Sequence, residues 1–158
     1  MRAWIKREVE RFARCERGTQ MIEFAIALPF LLLFFAGTVE LGRLFYTYTT
    51  LAKATVVGAR YASTKQTVAA GDPNVQNMVV CGNPGGCGGA GQPPSVVAGL
   101  GPGNVTVTEP AGVPVKYVTV SVSYDYHPVV FDLASMTGSR ALSLDVTLTP
   151  GTTMRYMK

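Results

Sequence analysis

The chain has little of what catalytic and metal-binding proteins use. Its 158 residues include one histidine, His127, one tryptophan, Trp4, and three cysteines, Cys15, Cys81 and Cys87. Two cysteines and one distant histidine do not make the tetrahedral donor set of a zinc site, so no metal is expected. His127 stands before Pro128 without a nucleophile motif around it, so no enzyme and no cofactor are expected either. Asp125 and His127 fall on one strand face and read as a polar surface pair. Asn104-Val105-Thr106 matches a glycosylation sequon and receives no role. Charge is also scarce, at 15% of residues. The formal net charge of +4 does not point to nucleic acid, because six basic residues (Arg2, Lys6, Arg7, Arg11, Arg14 and Arg17) stand against three acidic ones in the first 17 positions and leave the remainder nearly neutral. From Thr19 to Val39 the only charge is Glu23, and from Thr19 to about Thr64 the only proline is Pro29.

Those gaps describe a long apolar helix behind a basic leader. About 20 residues at about 1.5 Å each cross the roughly 30 Å hydrocarbon core of a bilayer, and Ile22 to Leu41 meets that length. Basic residues flanking a span stay on the cytoplasmic side, which places the N-terminus inside and the C-terminal bulk outside. A cleaved signal peptide is the competing reading, with Ala36-Gly37-Thr38 as its best cleavage site. Helix-like sequence continues past that site, and a retained anchor fits better. Pro29 removes one backbone donor within the span, which membrane helices tolerate. Glu23 is the anomaly: a carboxylate a turn inside an apolar span costs a few kcal/mol unless paired or near the interface.

Beyond the span, Leu41, Leu44, Tyr48, Leu51, Thr55, Gly58 and Ala62 recur at steps of three and four, one stripe of an amphipathic helix. Ala54, Gly58 and Ala62 form small-xxx-small steps that admit a second backbone, best satisfied by the chain's own C-terminal domain. Glu40 and Arg43, three residues apart near the outer end, are expected to be interfacial anchors; a partner subunit is the alternative contact for Glu40.

Arg17-Gly18 followed by Thr19-Gln20-Met21-Ile22-Glu23-Phe24 resembles the processing site of type IV pilin-like proteins. Leu28-Pro29, Val39-Glu40-Leu41-Gly42-Arg43 and Gly58-Ala59-Arg60-Tyr61-Ala62 narrow the resemblance to TadE-like proteins, minor pseudopilins of the Tad tight-adherence, or Flp pilus, apparatus. It is strongest over residues 14–63. It implies that a prepilin peptidase cuts after Gly18, that Thr19 becomes the first residue and Glu23 the fifth, and that Glu23 acts in assembly by pairing with an N-terminal amine, its own or a neighbour's. Phe24 stands where such proteins commonly carry tyrosine. A glutamate snorkelling at the cytoplasmic interface is the simpler alternative. The absent β-carbon of Gly18 suits entry of extended backbone into a tight peptidase site.

The exported part opens with a break at Ala70-Gly71-Asp72-Pro73, where Asp72 is a good N-cap and Pro73 a good first helical residue; a short helix to about Val80 is expected. Cys81 to Gly103 is too rich in glycine and proline for regular structure. Cys81 and Cys87 form an even pair in the exported domain and are expected to be disulfide-bonded, as periplasmic conditions allow, whereas Cys15 lies on the reducing side. Val105–Thr108, Val115–Tyr124 and Ala141–Thr149 alternate apolar and polar residues and predict three antiparallel strands. A helical turn around Phe131–Met136 is expected to cover one edge.

The fold class expected is α+β, a long N-terminal membrane-spanning helix continuing into a small exported domain with an antiparallel sheet. The division is a basic leader over 1–18, the transmembrane and amphipathic helix over 19–66, and the exported domain over 67–158, with its Gly/Pro-rich loop at 81–104. The function expected is that of a minor pseudopilin of a Tad pilus or secretion apparatus in the bacterial inner membrane. Its partners would be the prepilin peptidase, other pilins or pseudopilins and Tad assembly proteins. The alternative is an uncleaved single-pass envelope protein whose exported domain binds a partner.

Overall fold

The computed structural model of the chain describes residues 16–65, 68–109, 117–129 and 145–157. Helix α1, Glu16–Ser63, has 48 residues, about 72 Å at about 1.5 Å per residue. It stays helical through Pro29. Threonines within it are satisfied locally: Thr38 Oγ1 donates to the Phe34 carbonyl at 2.9 Å and Thr50 Oγ1 to that of Tyr46 at 2.8 Å. Such back-bonding lets hydroxyls sit on an apolar helix without a stray donor.

Helix α2, Pro73–Cys81, starts and stops where its chemistry directs. The Asp72 side chain accepts from the Asn74 amide at 2.8 Å, and Pro73 fills the first position. Gly82, at φ +70°, ends the helix in the left-handed region and donates to the Met78 carbonyl at 3.0 Å, a conformation glycine adopts without penalty.

The strands are β1 (Val105–Thr108), β2 (Tyr117–Val122), β3 (Tyr124–Tyr126), β4 (Val146–Leu148) and β5 (Gly151–Arg155). One antiparallel sheet has the order β1-β2-β5, and β3 pairs with β4. Both pairings of the second hairpin share one register: Tyr117 faces Arg155, Ser121 faces Gly151, and Tyr124 faces Leu148. The break between them falls at Pro150, which has no N–H to give the ladder; Val122 N–H still donates to the Pro150 carbonyl at 3.0 Å. Residues 117–126 and 146–155 therefore form one long ribbon, and its far end lies beside Glu40 of α1.

Beneath the sheet, Val118, Val120 and Val122 meet Val105 and Val107, Val75 and Val79 of α2, and Leu51, Ala54, Ala59 and Ala62 of α1. The two helices approach closely at Gly58, where a β-carbon would come within 2.2 Å of Val79 Cγ2. Thr55 Oγ1 and Thr152 Oγ1, 3.0 Å apart, tie α1 to β5. The loop after α2 is held by the Cys81–Cys87 disulfide, by Val96 N–H donating to the Val80 carbonyl at 2.8 Å, and by Asn104. The Asn104 side chain accepts from Gly101 N–H at 3.0 Å and donates to the Ser123 carbonyl at 3.1 Å. Glu109 accepts from Val68 N–H at 2.8 Å and from the Tyr156 hydroxyl.

The α+β architecture agrees with expectation, as do the start of α2, the strand at Val105–Thr108 and the inward face of Val118, Val120 and Val122. Several expectations are corrected. The third strand of the main sheet is Gly151–Arg155, not Ala141–Thr149; of the latter, Val146–Leu148 is the ribbon's far half. Threonine and glycine dominate β5, which lies at the edge of the sheet, so it shows no apolar alternation. Val115–Tyr124 is divided at Ser123 into β2 and β3, and its first two residues lie outside the described ones. On α1, Leu41 and Tyr48 are 57% and 45% exposed. The stripe that faces the domain runs instead through Glu40, Leu44, Thr47, Leu51, Thr55, Gly58 and Ala62. The leader to Cys15, the turn at Phe131–Met136, and Leu142 and Leu144 lie outside the described residues.

Candidate functional site

Residues 18–24 lie on α1, and the side chains of Thr19, Glu23 and Phe24 are exposed. Among the described residues no packing requires glycine at position 18, since a β-carbon there would meet no atom within 4 Å. A helical glycine is less favourable than alanine by about 1 kcal/mol. Glu23 stands among exposed Met21, Ile22, Phe24 and Ile26. Among the described residues it makes no hydrogen bond or ion pair. Gly18, Thr19, Glu23 and Phe24 thus all lie exposed on α1.

The second carboxylate of the helix is treated differently. Glu40 is 3% exposed, although it was expected at the interface as an anchor. Tyr126 Oη donates to Glu40 Oε1 at 2.5 Å, and Val129 N–H donates to both carboxylate oxygens at 3.3 and 3.4 Å. The Arg43 guanidinium lies 3.9 Å away. Burial, reinforced by the adjacent carboxylate, pushes the Tyr126 phenol up to about 12, so it stays a donor at any physiological pH. Sequence reasoning missed this latch because both donors come from about 90 positions along the chain. One signal was available: Glu40 precedes Leu44 by one helical turn and so shares its stripe.

Beside the latch, Arg43, Tyr46, Thr47, Val97, Tyr124 and His127 line a cleft of about 280 Å³. Its polar groups already have partners: Arg43 lies beside Glu40, and Asp145 Oδ1 lies 2.9 Å from His127 Nδ1. Among the described residues no group of three or more His, Cys, Asp or Glu side chains is placed to hold a metal ion.

One helix of the described residues is long and apolar enough to cross a membrane; the stretch is Gly18–Ser63, with a mean hydropathy of 2.2 in its most apolar part. Joined to a small antiparallel domain, it defines the class as a helix-anchored, single-pass membrane protein. Residues 18–60 match the family model described as TadE-like protein. Over that segment the chain resembles TadE-like proteins, as its sequence motifs imply. Neither a curated protein nor a solved structure matches the chain.

Proposed function

We propose that the chain is a minor pseudopilin of a Tad (Flp) pilus apparatus, processed after Gly18 and held in the bacterial inner membrane with its domain exported. The observation that carries this reading is the TadE-like match beginning at Gly18 and running along the apolar helix. A family of pilus-associated structural proteins supports an assembly role over catalysis. Three features support the finer reading. Gly18 has no packing reason to be glycine. Among the described residues Glu23 has no partner on its apolar surface, as a group reserved for another subunit would be. The basic leader favours a cytoplasmic N-terminus. On this reading the prepilin peptidase, other pilins and Tad assembly proteins are the partners, and the Cys81–Cys87 bond persists because the domain is exported.

Intact mass of the membrane-extracted protein, with and without reduction and alkylation, tests processing and the disulfide together. The expected product begins at Thr19, lacks Cys15, and takes up alkylating reagent at Cys81 and Cys87 only after reduction. Gly18→Leu should leave the full-length chain. A product retaining Met1 in cells with an active prepilin peptidase overturns the pseudopilin reading.

A further inference from the structure

The segment that follows α2 is bounded by two fixed points and tied between them by a bond that chemistry can open. Gly82 leaves the helix with its N–H donating to the Met78 carbonyl at 3.0 Å, and Val96 returns to it, donating to the Val80 carbonyl at 2.8 Å. Beyond Val96 the chain is fixed independently. Val97 packs against the hydrophobic core, Leu100 is buried, and the Ala98 carbonyl accepts from the Tyr124 hydroxyl at 2.9 Å. Between these limits, residues 83–95 close on themselves. The Gln92 side chain accepts from Gly89 N–H at 3.1 Å and donates to the Gly85 carbonyl at 3.2 Å, and Gly88 N–H donates to the Pro93 carbonyl at 3.1 Å. Among the described residues, two ties join this knob to α2: the Asn77 side chain, which donates to the Pro84 carbonyl at 3.3 Å, and the Cys81–Cys87 disulfide.

We propose that the Cys81–Cys87 bond is a redox-sensitive catch: oxidised, it holds residues 83–95 as a closed knob against the end of α2, and reduced by a dithiol it releases them while α2 and the sheet stay folded. Six of the ten residues from Gly82 to Gly91 are glycine, the residue that loses most conformational freedom on ordering, so opening the ring returns much freedom to the segment. The two sulfurs are unequally placed. Cys81 is 8% exposed, and its Sγ lies 3.3 Å from the Asn77 carbonyl oxygen one turn back in α2. Cys87 is half-buried. One thiolate of the dithiol therefore attacks Cys87 Sγ, and Cys81 leaves as a thiolate and takes up a proton. The dithiol's second sulfur then attacks its own first sulfur in the mixed disulfide, so that Cys87 departs as a thiol and the reductant ends as a disulfide. The protein has gained two electrons and two protons. The Cys81 thiol then donates to the Asn77 carbonyl, and the end of α2 keeps its buried polar group satisfied in the reduced state. The inference is independent of processing at Gly18; it gives the domain two loop states, selected by thiol chemistry.

The test uses the full chain with Cys15→Ser in detergent micelles and compares amide hydrogen exchange before and after reduction with dithiothreitol. On reduction the Gly88 and Gln92 amides should exchange faster by about tenfold or more, whereas Val79 in α2, Val96 at the return point and Val120 in β2 should change by less than about twofold. Cys87→Ser should reproduce this pattern without reductant, and reoxidation of the reduced chain should reverse it. Equal acceleration at Val79 and Val120 would make the bond a staple of the whole domain and overturn the catch. Unchanged protection at Gly88 and Gln92 would mean that hydrogen bonds alone hold the segment, which overturns it as well. So would a Cys87→Ser chain that keeps those amides protected, since the effect of dithiothreitol would then lie elsewhere.

Discussion

Glu23 and Glu40 are the same residue type on one apolar helix, yet Glu23 is exposed and Glu40 is buried and hydrogen-bonded. Glu40 is provided for within the chain, so Glu40→Ala should leave the Tyr126 hydroxyl and Val129 N–H without an acceptor and destabilise the ribbon's attachment by about 1–3 kcal/mol. Glu40→Gln keeps an acceptor and should lose less. Hydrogen exchange at the Val129 amide measures this directly: strong acceleration is expected for alanine and a smaller one for glutamine, and unchanged protection in both would remove the latch. Asp72 offers a pH test. Its pKa lies below the ordinary 3.8, since Lys65 and the Asn74 amide together overcome the opposing effect of burial, and Lys65 is raised above 10.5 by its bond to Asp72 at 3.0 Å. A depressed carboxylate stabilises the fold above its unfolded pKa and loses that contribution as pH falls through the folded value; the raised lysine loses its own as pH rises through its folded value. Asp72→Asn retains an N-cap acceptor and removes only the charge. Its loss of thermal stability, under about 1 kcal/mol for a partly exposed pair, should be present near neutral pH and vanish as Asp72 is titrated in acid. A difference that persists undiminished in acid would assign the effect to the cap alone.

At the scale of elements, α1 is both an anchor and one wall of the domain. The small-residue steps through Ala54, Gly58 and Ala62 serve the second role, since they admit α2 of the same chain. Gly58→Ala places a methyl where Val79 Cγ2 already sits and should destabilise the domain by about 1–3 kcal/mol. Adding Val79→Ala vacates that volume, so a double-mutant cycle should show the two changes partly compensating. Strict additivity in thermal unfolding would mean that the helices adjust without this contact. The ribbon works as a lever between layers: one register carries it from the sheet core at Val118 and Val120 to Tyr126 at the helix, and Pro150 interrupts the ladder without shifting the pairing.

For the whole molecule, the proposed function assigns assembly to the exposed part of α1 around Glu23, while the covered part around Leu51 and Gly58 supports the domain. Glu23 lies five residues beyond the proposed scissile bond, so Glu23→Ala should be processed normally. It should still reduce piliation or co-purification with partner pilins, because a subunit amine left without its carboxylate in an apolar setting costs a few kcal/mol. Glu23→Gln preserves shape without charge and should fail nearly as badly. Normal assembly by both variants, with cleavage intact, would reduce Glu23 to an interfacial residue.

The long helix, its apolar half, the cap at Asp72 and the alternation of β1 and β2 were all legible in the residues, because each follows from local spacing: a 20-residue apolar run, a capping side chain before proline, or period-two valines. The upper part of the helix stripe was misread by one position, because Leu41 and Tyr48 are apolar or aromatic and Glu40 and Thr47 are not. Local pattern ranks residues by polarity, whereas burial of Glu40 depends on donors that arrive from the far end of the chain. Strand β5 was missed because Gly151, Thr152 and Thr153 pack by hydrogen bonding and close approach, with Thr152 reaching Thr55, and carry no hydrophobic period. Those assignments came from the tertiary fold, where pairing across roughly 90 residues sets what a carboxylate or a threonine can touch.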